Sequence, residues 1–257
     1  MAKKERIDIL LVDRELVDTR SKAKAIIMAG EVFVNEQRVD KAGQKVDPDA
    51  RIEIKGRSLI KYVSRGGLKL EAAIDAFGFD CQNLVVIDVG ASTGGFTDCV
   101  LQKGATRVYA IDVGYNQLAW RLRTDERVIS HERTNMRHTQ ASLLPELCDL
   151  AVIDCSFISL DLILPPTQKF LKEGACLIVL IKPQFEVGRH NIEKGGVVRD
   201  VQARLEAIDR VIKSAEKLGF IFSKGIDCPV HGPAGNIEYL ALFEFRSSQG
   251  ITVADTD

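Results

Sequence analysis

Leu84-Val-Val-Ile-Asp-Val-Gly-Ala-Ser-Thr-Gly-Gly-Phe-Thr97 carries an apolar run straight into a glycine-rich turn. Leu84 to Val89 reads as a strand, and the turn from Gly90 to Gly95 opens a helix. Glycines let the backbone approach a bound molecule closely, and a helix N-terminus presents unpaired N–H groups to it. The pattern predicts an α/β protein that holds a small cofactor outside the carboxyl end of this strand. Glycine-rich turns after strands are common, so the rest of the chain decides what is bound.

The chain has 257 residues, 46% of them hydrophobic and 28% charged, enough for one large domain and one small one, each with its own core. Six cysteines (Cys81, Cys99, Cys148, Cys155, Cys176, Cys228) are scattered without a C-x-x-C pair, as expected of reduced core thiols. His131, His138, His190 and His231 lack metal-ligand spacing, so no metal is expected. The start, Met-Ala-Lys-Lys-Glu-Arg, has no apolar stretch of the signal-peptide kind. The richest apolar window, Leu150 to Pro166, is interrupted by Asp154 and Asp161. A cytoplasmic protein with no membrane partner is the expectation. Net charge is −1, but residues 1–69 hold 16 Lys and Arg against 11 Asp and Glu, and the remainder is acidic. Contact with a polyanion is therefore expected to begin at the front end.

Residues 1–56 read as a compact unit. Arg6 to Val12 has helical spacing. A second helix starts at Thr19 or Ser21 and ends before Gly30, which suits a left-handed cap. Short strands follow at Val32–Val34 and Arg51–Ile54, with a polar turn at Asn35-Glu-Gln37 between them. This pattern resembles the S4 RNA-binding domain, on Arg6, Asp8, Leu11, Arg20-Ser-Lys-Ala-Lys-Ala-Ile-Ile-Met-Ala-Gly30, Val32-Phe-Val-Asn35, Val46-Asp47 and Ile52. The resemblance implies that Arg6, Arg20, Lys22 and Lys24 face RNA phosphates.

Residues 57–63 read as a linker and 64–246 as the larger domain, with a polar tail at 247–257. A helix runs from Leu68 to Phe77 and stops at Gly78. Strands are predicted at Leu84–Val89, Arg107–Asp112, Val128–Ser130, Leu150–Asp154 and Cys176–Lys182. Helices are predicted at Gly95–Lys103, Gln117–Arg123, Leu160–Leu171 and Val201–Lys217. Gly219–Asp227 and Tyr239–Phe245 suit an antiparallel hairpin at the sheet edge. The fold class is a Rossmann-like α/β domain with a mostly parallel seven-stranded sheet, behind a small α+β domain.

Ligands of such a sheet sit at the carboxyl ends of the strands. Asp112 ends the second strand, where a carboxylate can bind a ribose diol. Asp154 ends the fourth and Lys182 the fifth. A lysine at a buried strand end needs a partner, because desolvating an ammonium costs several kcal/mol, and Asp154 is the candidate. Gly90-Ala-Ser-Thr-Gly-Gly95 departs from G-x-G-x-x-G, and no Gly-Lys-Ser/Thr follows, which disfavours dinucleotide and P-loop chemistry. Methyltransferases using S-adenosylmethionine are the remaining large class with this layout.

Ser64-Arg-Gly-Gly-Leu-Lys-Leu70, the glycine turn, Asp154, Lys182-Pro183 and Glu238 in Gly235-Asn-Ile-Glu-Tyr239 resemble the Lys-Asp-Lys-Glu signature of FtsJ-like ribose 2′-O-methyltransferases. The branch most similar joins an S4 domain to that enzyme, the TlyA/haemolysin A family. Arg133-Thr-Asn-Met-Arg137, Lys182-Pro-Gln-Phe-Glu186 and Gly196-Val-Val-Arg-Asp200 belong to the same match. Thr93 departs from it, standing where many FtsJ proteins have proline.

The resemblance implies that Lys69, Asp154, Lys182 and Glu238 are catalytic, with Lys182 acting on the ribose hydroxyl either as a base or as a charged orienter. It implies cofactor contacts from Asp88, Gly90, Ala91, Ser92, Gly94, Gly95, Phe96, Asp112 and Asn135, Asn135 also reading as a turn residue. S-adenosylmethionine is the implied cofactor and ribosomal RNA, at cytidine, the implied partner. Oligomeric state is left open. Arg65, and Arg189 in a polar segment from Gln184 to Asp200, are expected to reach RNA. That segment reads as a mobile flap, with Lys194 and Arg199 aiding Arg189. Two other readings stay beside this one: a catalytically silent RNA binder, and a membrane-active haemolysin. Asp154-Cys-Ser-Phe157 lacks the Asn/Asp-Pro-Pro-aromatic motif of amino-group methylation, which disfavours a base methyltransferase.

Overall fold

The computed structural model describes residues 4–14, 16–17, 19–54, 61–188, 191–193, 195–232 and 235–246. Residues 57–60 of the expected linker, Arg189, His190, Lys194 and the 247–257 tail lie outside them. The chain divides into two compact units, residues 1–61 and 62–257.

In the first unit, β1 (Glu5–Arg6) leads into α1 (Ile7–Asp13), and α2 (Arg20–Met28) follows. The Thr19 hydroxyl caps α2 by accepting from the Lys22 N–H at 3.3 Å. Gly30 leaves the helix at a φ of 71°, which a side chain would resist. β2 (Val32–Val34) turns back through Asn35 and Glu36, both left-handed, into β3 (Gln37–Arg38). That is a two-residue hairpin turn, one residue tighter than the sequence suggests. β4 (Lys45–Val46) pairs with β1, and β5 (Ile52–Ile54) pairs with β2. The two-residue strands β1, β3 and β4 are too short to show a period in sequence. Ile7, Leu11, Ile26, Ile27 and Val32 form the core of this unit.

The second unit opens with α3 (Gly66–Phe77), β6 (Val85–Val89), α4 (Gly95–Gln102), β7 (Arg107–Ile111), α5 (Trp120–Arg123), β8 (Val128–His131) and β9 (Cys148–Ile153). It continues with α6 (Leu164–Gln168), β10 (Leu171–Ile181), α7 (Pro183–Glu186), α8 (Val201–Glu216), β11 (Phe220–Asp227) and β12 (Tyr239–Phe245). The seven strands run in the order β11-β12-β10-β9-β6-β7-β8, with β12 antiparallel to both neighbours. The late hairpin is therefore at the edge with its second strand inside. β12 (Tyr-Leu-Ala-Leu-Phe-Glu-Phe) is nearly continuous in apolar residues, as an interior strand must be, whereas β11 is polar at Ser223, Lys224 and Asp227.

Helices cover both faces. Leu70, Ile74 and Phe77 of α3 and Cys99 and Val100 of α4 pack on Val86, Val108 and Val152. Ile208, Val211 and Ala215 of α8 and Leu164 of α6 pack on Ile87, Val89, Ile153 and Val179 from the other side. Tyr62 and Val63 belong to this unit and not to a linker. Tyr62 is fully buried against Gly67, where a Cβ would stand 2.3 Å from its ring, and Val63 N–H donates to Asp98 at 2.7 Å. The six cysteines are free thiols.

Candidate active site

The glycine turn after β6 is shaped by three different neighbours. Gly90 has a φ of 85°, and a Cβ there would lie 2.8 Å from the Asp154 carbonyl oxygen. Gly95 would meet the Ser64 hydroxyl at 2.3 Å, so the helix N-terminus and the Ser64 segment touch only because a side chain is missing. Gly94 has a φ of 93°, and a Cβ there would meet Leu122 and Leu118. Asp88 departs from expectation. It is fully buried beneath the turn, where Oδ2 accepts from Thr97 N–H at 2.9 Å and from Thr97 Oγ1 at 2.6 Å. Burial pushes its carboxyl up to about 7 despite those bonds, and Asp154 adds to the shift. Asp88 ties α4 to β6 and lines neither cavity described below.

Beyond β7, Asp112 accepts from Ser92 N–H at 2.8 Å and Gly114 N–H at 2.7 Å, one on each carboxylate oxygen. With Val89, Ile111, Asn135 and Met136 it lines a cavity of about 500 Å³. Asn135 is both a wall of that cavity and a turn residue, its Oδ1 accepting from Arg137 N–H at 3.1 Å.

Four polar residues from remote parts of the chain meet in an adjoining cleft of about 300 Å³. Lys69 on α3 lies 2.5 Å from Glu238, which is 1% exposed just before β12. Lys182, one residue past β10, lies 2.6 Å from Asp154 Oδ1 and donates to Ser156 Oγ at 2.8 Å. Each lysine thus has its own carboxylate, which makes burial of these charges tolerable. The Lys182–Asp154 contact is an off-axis ion pair, and that oxygen has no hydrogen-bond partner among the described residues. Ala91, Ser92, Gly95 and Phe96 form the opposite wall. Gly90, Ser92, Asp154 and Ser156 border both cavities, so the two make one continuous groove across the strand ends.

Residues 62–245 match the model of the FtsJ-like methyltransferases, and residues 5–52 match the S4 domain. The chain belongs to the FtsJ-like methyltransferase family. It is 51% identical to the "Putative rRNA methyltransferase YqxC" of Bacillus subtilis, over 93% of this chain and 85% of that protein. It is 39% identical to the "16S/23S rRNA (cytidine-2'-O)-methyltransferase TlyA" of Mycobacterium tuberculosis, over 98% of this chain and 94% of the relative. Among solved structures, a "Putative hemolysin from Streptococcus thermophilus" superposes with a TM-score of 0.75 at 44% identity, covering 96% of this chain and 90% of that one.

Several residues of the FtsJ-like unit join the site without a prior signal. Ser156 and Phe157 follow Asp154 in a stretch notable in sequence only for lacking the amino-group methylation motif. Ser156 anchors Lys182, and Phe157 is left-handed and 91% exposed beside the larger cavity. Gln184 Nε2 reaches Glu238 at 3.4 Å, while its buried Oε1 has no partner among the described residues. In the segment expected to be a flap, Asn236 Oδ1 accepts from Val198 N–H and its Nδ2 donates to Gly196 O, both at 2.9 Å. Arg199 lies 3.3 Å from Glu193, both side chains being exposed. Residues 196–198 are bonded down because a buried amide supplies both a donor and an acceptor.

Arg65 is exposed at the mouth of the smaller cleft. In the S4 unit, Arg6 and Arg20 both bond the fully buried Asp8, at 2.9 Å each, and Arg6 above all holds its carboxyl down to about 2. These two arginines therefore brace the unit as well as presenting charge. Lys24 is exposed and Lys22 half-buried on α2.

Proposed function

We infer that this chain transfers a methyl group from S-adenosylmethionine to a ribose 2′-hydroxyl of ribosomal RNA, at cytidine. The observation that carries the reading is the convergence of Lys69, Asp154, Lys182 and Glu238 on one cleft beside the glycine turn. The rRNA methyltransferases among its relatives, matched along nearly the whole chain, support the same reaction and substrate. No helix among the described residues is long and apolar enough to cross a membrane, and a cytoplasmic enzyme is the reading.

The groove fits the cofactor. Gly90 lines both cavities and Gly95 the smaller one, and Asp112 stands in the larger one where a ribose diol can be bound. When bound, S-adenosylmethionine supplies a methyl group already activated on a sulfonium. The chain's own residues then orient the acceptor. Lys182, aimed by Asp154 and Ser156, donates to the ribose oxygen and offsets the negative charge that grows there while the hydroxyl proton passes to solvent water. Lys69 and Glu238 hold the neighbouring part of the nucleotide, and holding the two partners in line lowers the barrier further.

Methyl transfer from radiolabelled cofactor to ribosomal subunits lacking the modification tests this. Wild type is expected to label a ribose 2′-oxygen, and Lys182→Ala to lower the rate by about 100-fold or more, the scale of losing one preorganised donor. Cofactor binding without any labelling would favour the silent RNA binder. Dye release from liposomes by the wild type would favour the haemolysin.

A further inference from the structure

β9 and β10 are parallel neighbours, held in register up to Ile153 and Val179. Asp154 and Lys182 lie just past the strand ends, where the ladder between β9 and β10 has stopped, while Asp154 N–H still donates to Val89 O at 3.1 Å and β10 stays paired with β12 as far as Ile181. What joins the two segments to each other there is a row of side chains on the turn of α7. Lys182, Phe185 and Glu186 have i, i+3, i+4 spacing, so they share one side of that turn. They meet the Asp154–Leu160 segment in order. Lys182 reaches Asp154 and Ser156, Phe185 packs on Phe157 with ring centroids 5.0 Å apart, and Glu186 meets Ser159 and Leu160. Of the two links beyond Lys182, the aromatic one is the weaker, because Phe157 is exposed. Glu186 is 6% exposed. Its Oε2 accepts from Ser159 Oγ at 2.8 Å and its Oε1 from Leu160 N–H at 2.9 Å, while Arg210 of α8 donates to its backbone carbonyl.

We propose that Glu186 is a positioning residue for methyl transfer, clasping Ser159 and Leu160, at the far end of the segment that begins with Asp154 and Ser156, to the turn that carries Lys182 and so setting the spacing of Asp154 and Lys182. The inference rests on the reading of this cleft as the transfer site. A carboxylate suits the task because it accepts from both partners at once in charge-assisted bonds, whereas an amide has one accepting oxygen, carries no charge and would force the Ser159 hydroxyl to switch from donor to acceptor. It also explains Lys182-Pro-Gln-Phe-Glu186 as one device: Pro183 starts the turn with φ preset, and the residue one turn on faces back across the site.

The test compares full-length wild type, Glu186→Gln, Ser159→Ala and the double variant in transfer to unmodified ribosomal subunits, alongside cofactor affinity by equilibrium dialysis and thermal midpoint. Each single change is expected to lower kcat about tenfold, with KM for subunits and cofactor affinity held within about twofold, as for misaimed groups. The double variant is expected to lose no more than the worse single one, because both changes open the same clasp. Unchanged kcat in both single variants, additive losses, or losses that track weakened cofactor binding and a lowered midpoint would overturn the proposal. If Glu186→Gln does not fold, Ser159→Ala decides the matter by the same kcat-against-affinity comparison. A wild type that transfers no methyl would instead overturn the proposed function.

Discussion

Asp88 carries the residue-scale lesson. The family resemblance implies a cofactor contact from Asp88, but side-chain alternation along β6 places it on the face shared with Val86, toward α4. Its energetic weight shows in pH dependence. The carboxyl titrates at the ordinary 3.8 when unfolded and at about 7 in the fold, so the folded state holds the additional proton between those values. The stability this group contributes is complete below about pH 4 and is lost as pH rises through about 7. Asp88→Asn keeps the Thr97 bonds and removes the charge. Urea unfolding from pH 5 to 8 is expected to show a flatter decline for the variant, which should be the more stable form at pH 8.

Elements departed from the sequence reading where proline or glycine intervened. The apolar run from Leu160 to Leu171 predicts one helix, yet it forms a 3-10 turn at Leu160–Leu162, then α6, then the start of β10. Pro165 and Pro166 have no N–H to continue a helix begun at Leu160, but they serve as first-turn residues of a new one. β10 begins earlier than expected because Gly174, at a φ of 75°, lies in the irregular stretch between Leu171 and Cys176. The helix expected from Gln117 starts only at Trp120, after Ala119 in extended backbone with ψ 140°. The Thr19 cap and the helix-ending Gly30 and Gly78 were more legible, whereas the cap of α8 was not read. Asp200 accepts from Gln202 and Ala203 N–H at 2.9 and 3.4 Å, closing the N-terminus of α8. Asp200→Ala is expected to lower the unfolding free energy by about 1 kcal/mol, read by urea denaturation, with the methyl-transfer rate unchanged.

At the scale of the whole molecule, the proposed function assigns RNA affinity to the S4 unit and chemistry to the methyltransferase unit. With Lys24 exposed on α2 and Lys22 beside it, Lys22→Ala and Lys24→Ala together are expected to weaken binding to ribosomal subunits. The slope of log affinity against log salt should fall by about 0.7 to 0.9 for each phosphate no longer neutralised, with kcat at saturating subunits preserved. A slope equal to that of wild type would remove these lysines from the interface. Much of this organisation is written in local pattern. The unbroken apolar runs of a two-sided parallel sheet, the glycine turn and the helix-ending Gly30 and Gly78 are short-range signals, so the fold class and the strand-end places of Asp112, Asp154 and Lys182 could be read from the chain alone. The quartet was legible only as a motif in a fixed order, since nothing local links Lys69 to Glu238 across the length of the domain. Pairing is another matter. Which lysine takes which carboxylate, the turning of Asp88 away from the groove, the engagement of Arg6 and Arg20 by Asp8, and the clasp from Glu186 to Ser159 depend on which side chains the packed sheet and its loops bring within hydrogen-bond reach. Periodicity names the face of a strand or helix, but only the assembled fold sets the few ångströms that turn neighbouring charges and donors into partners.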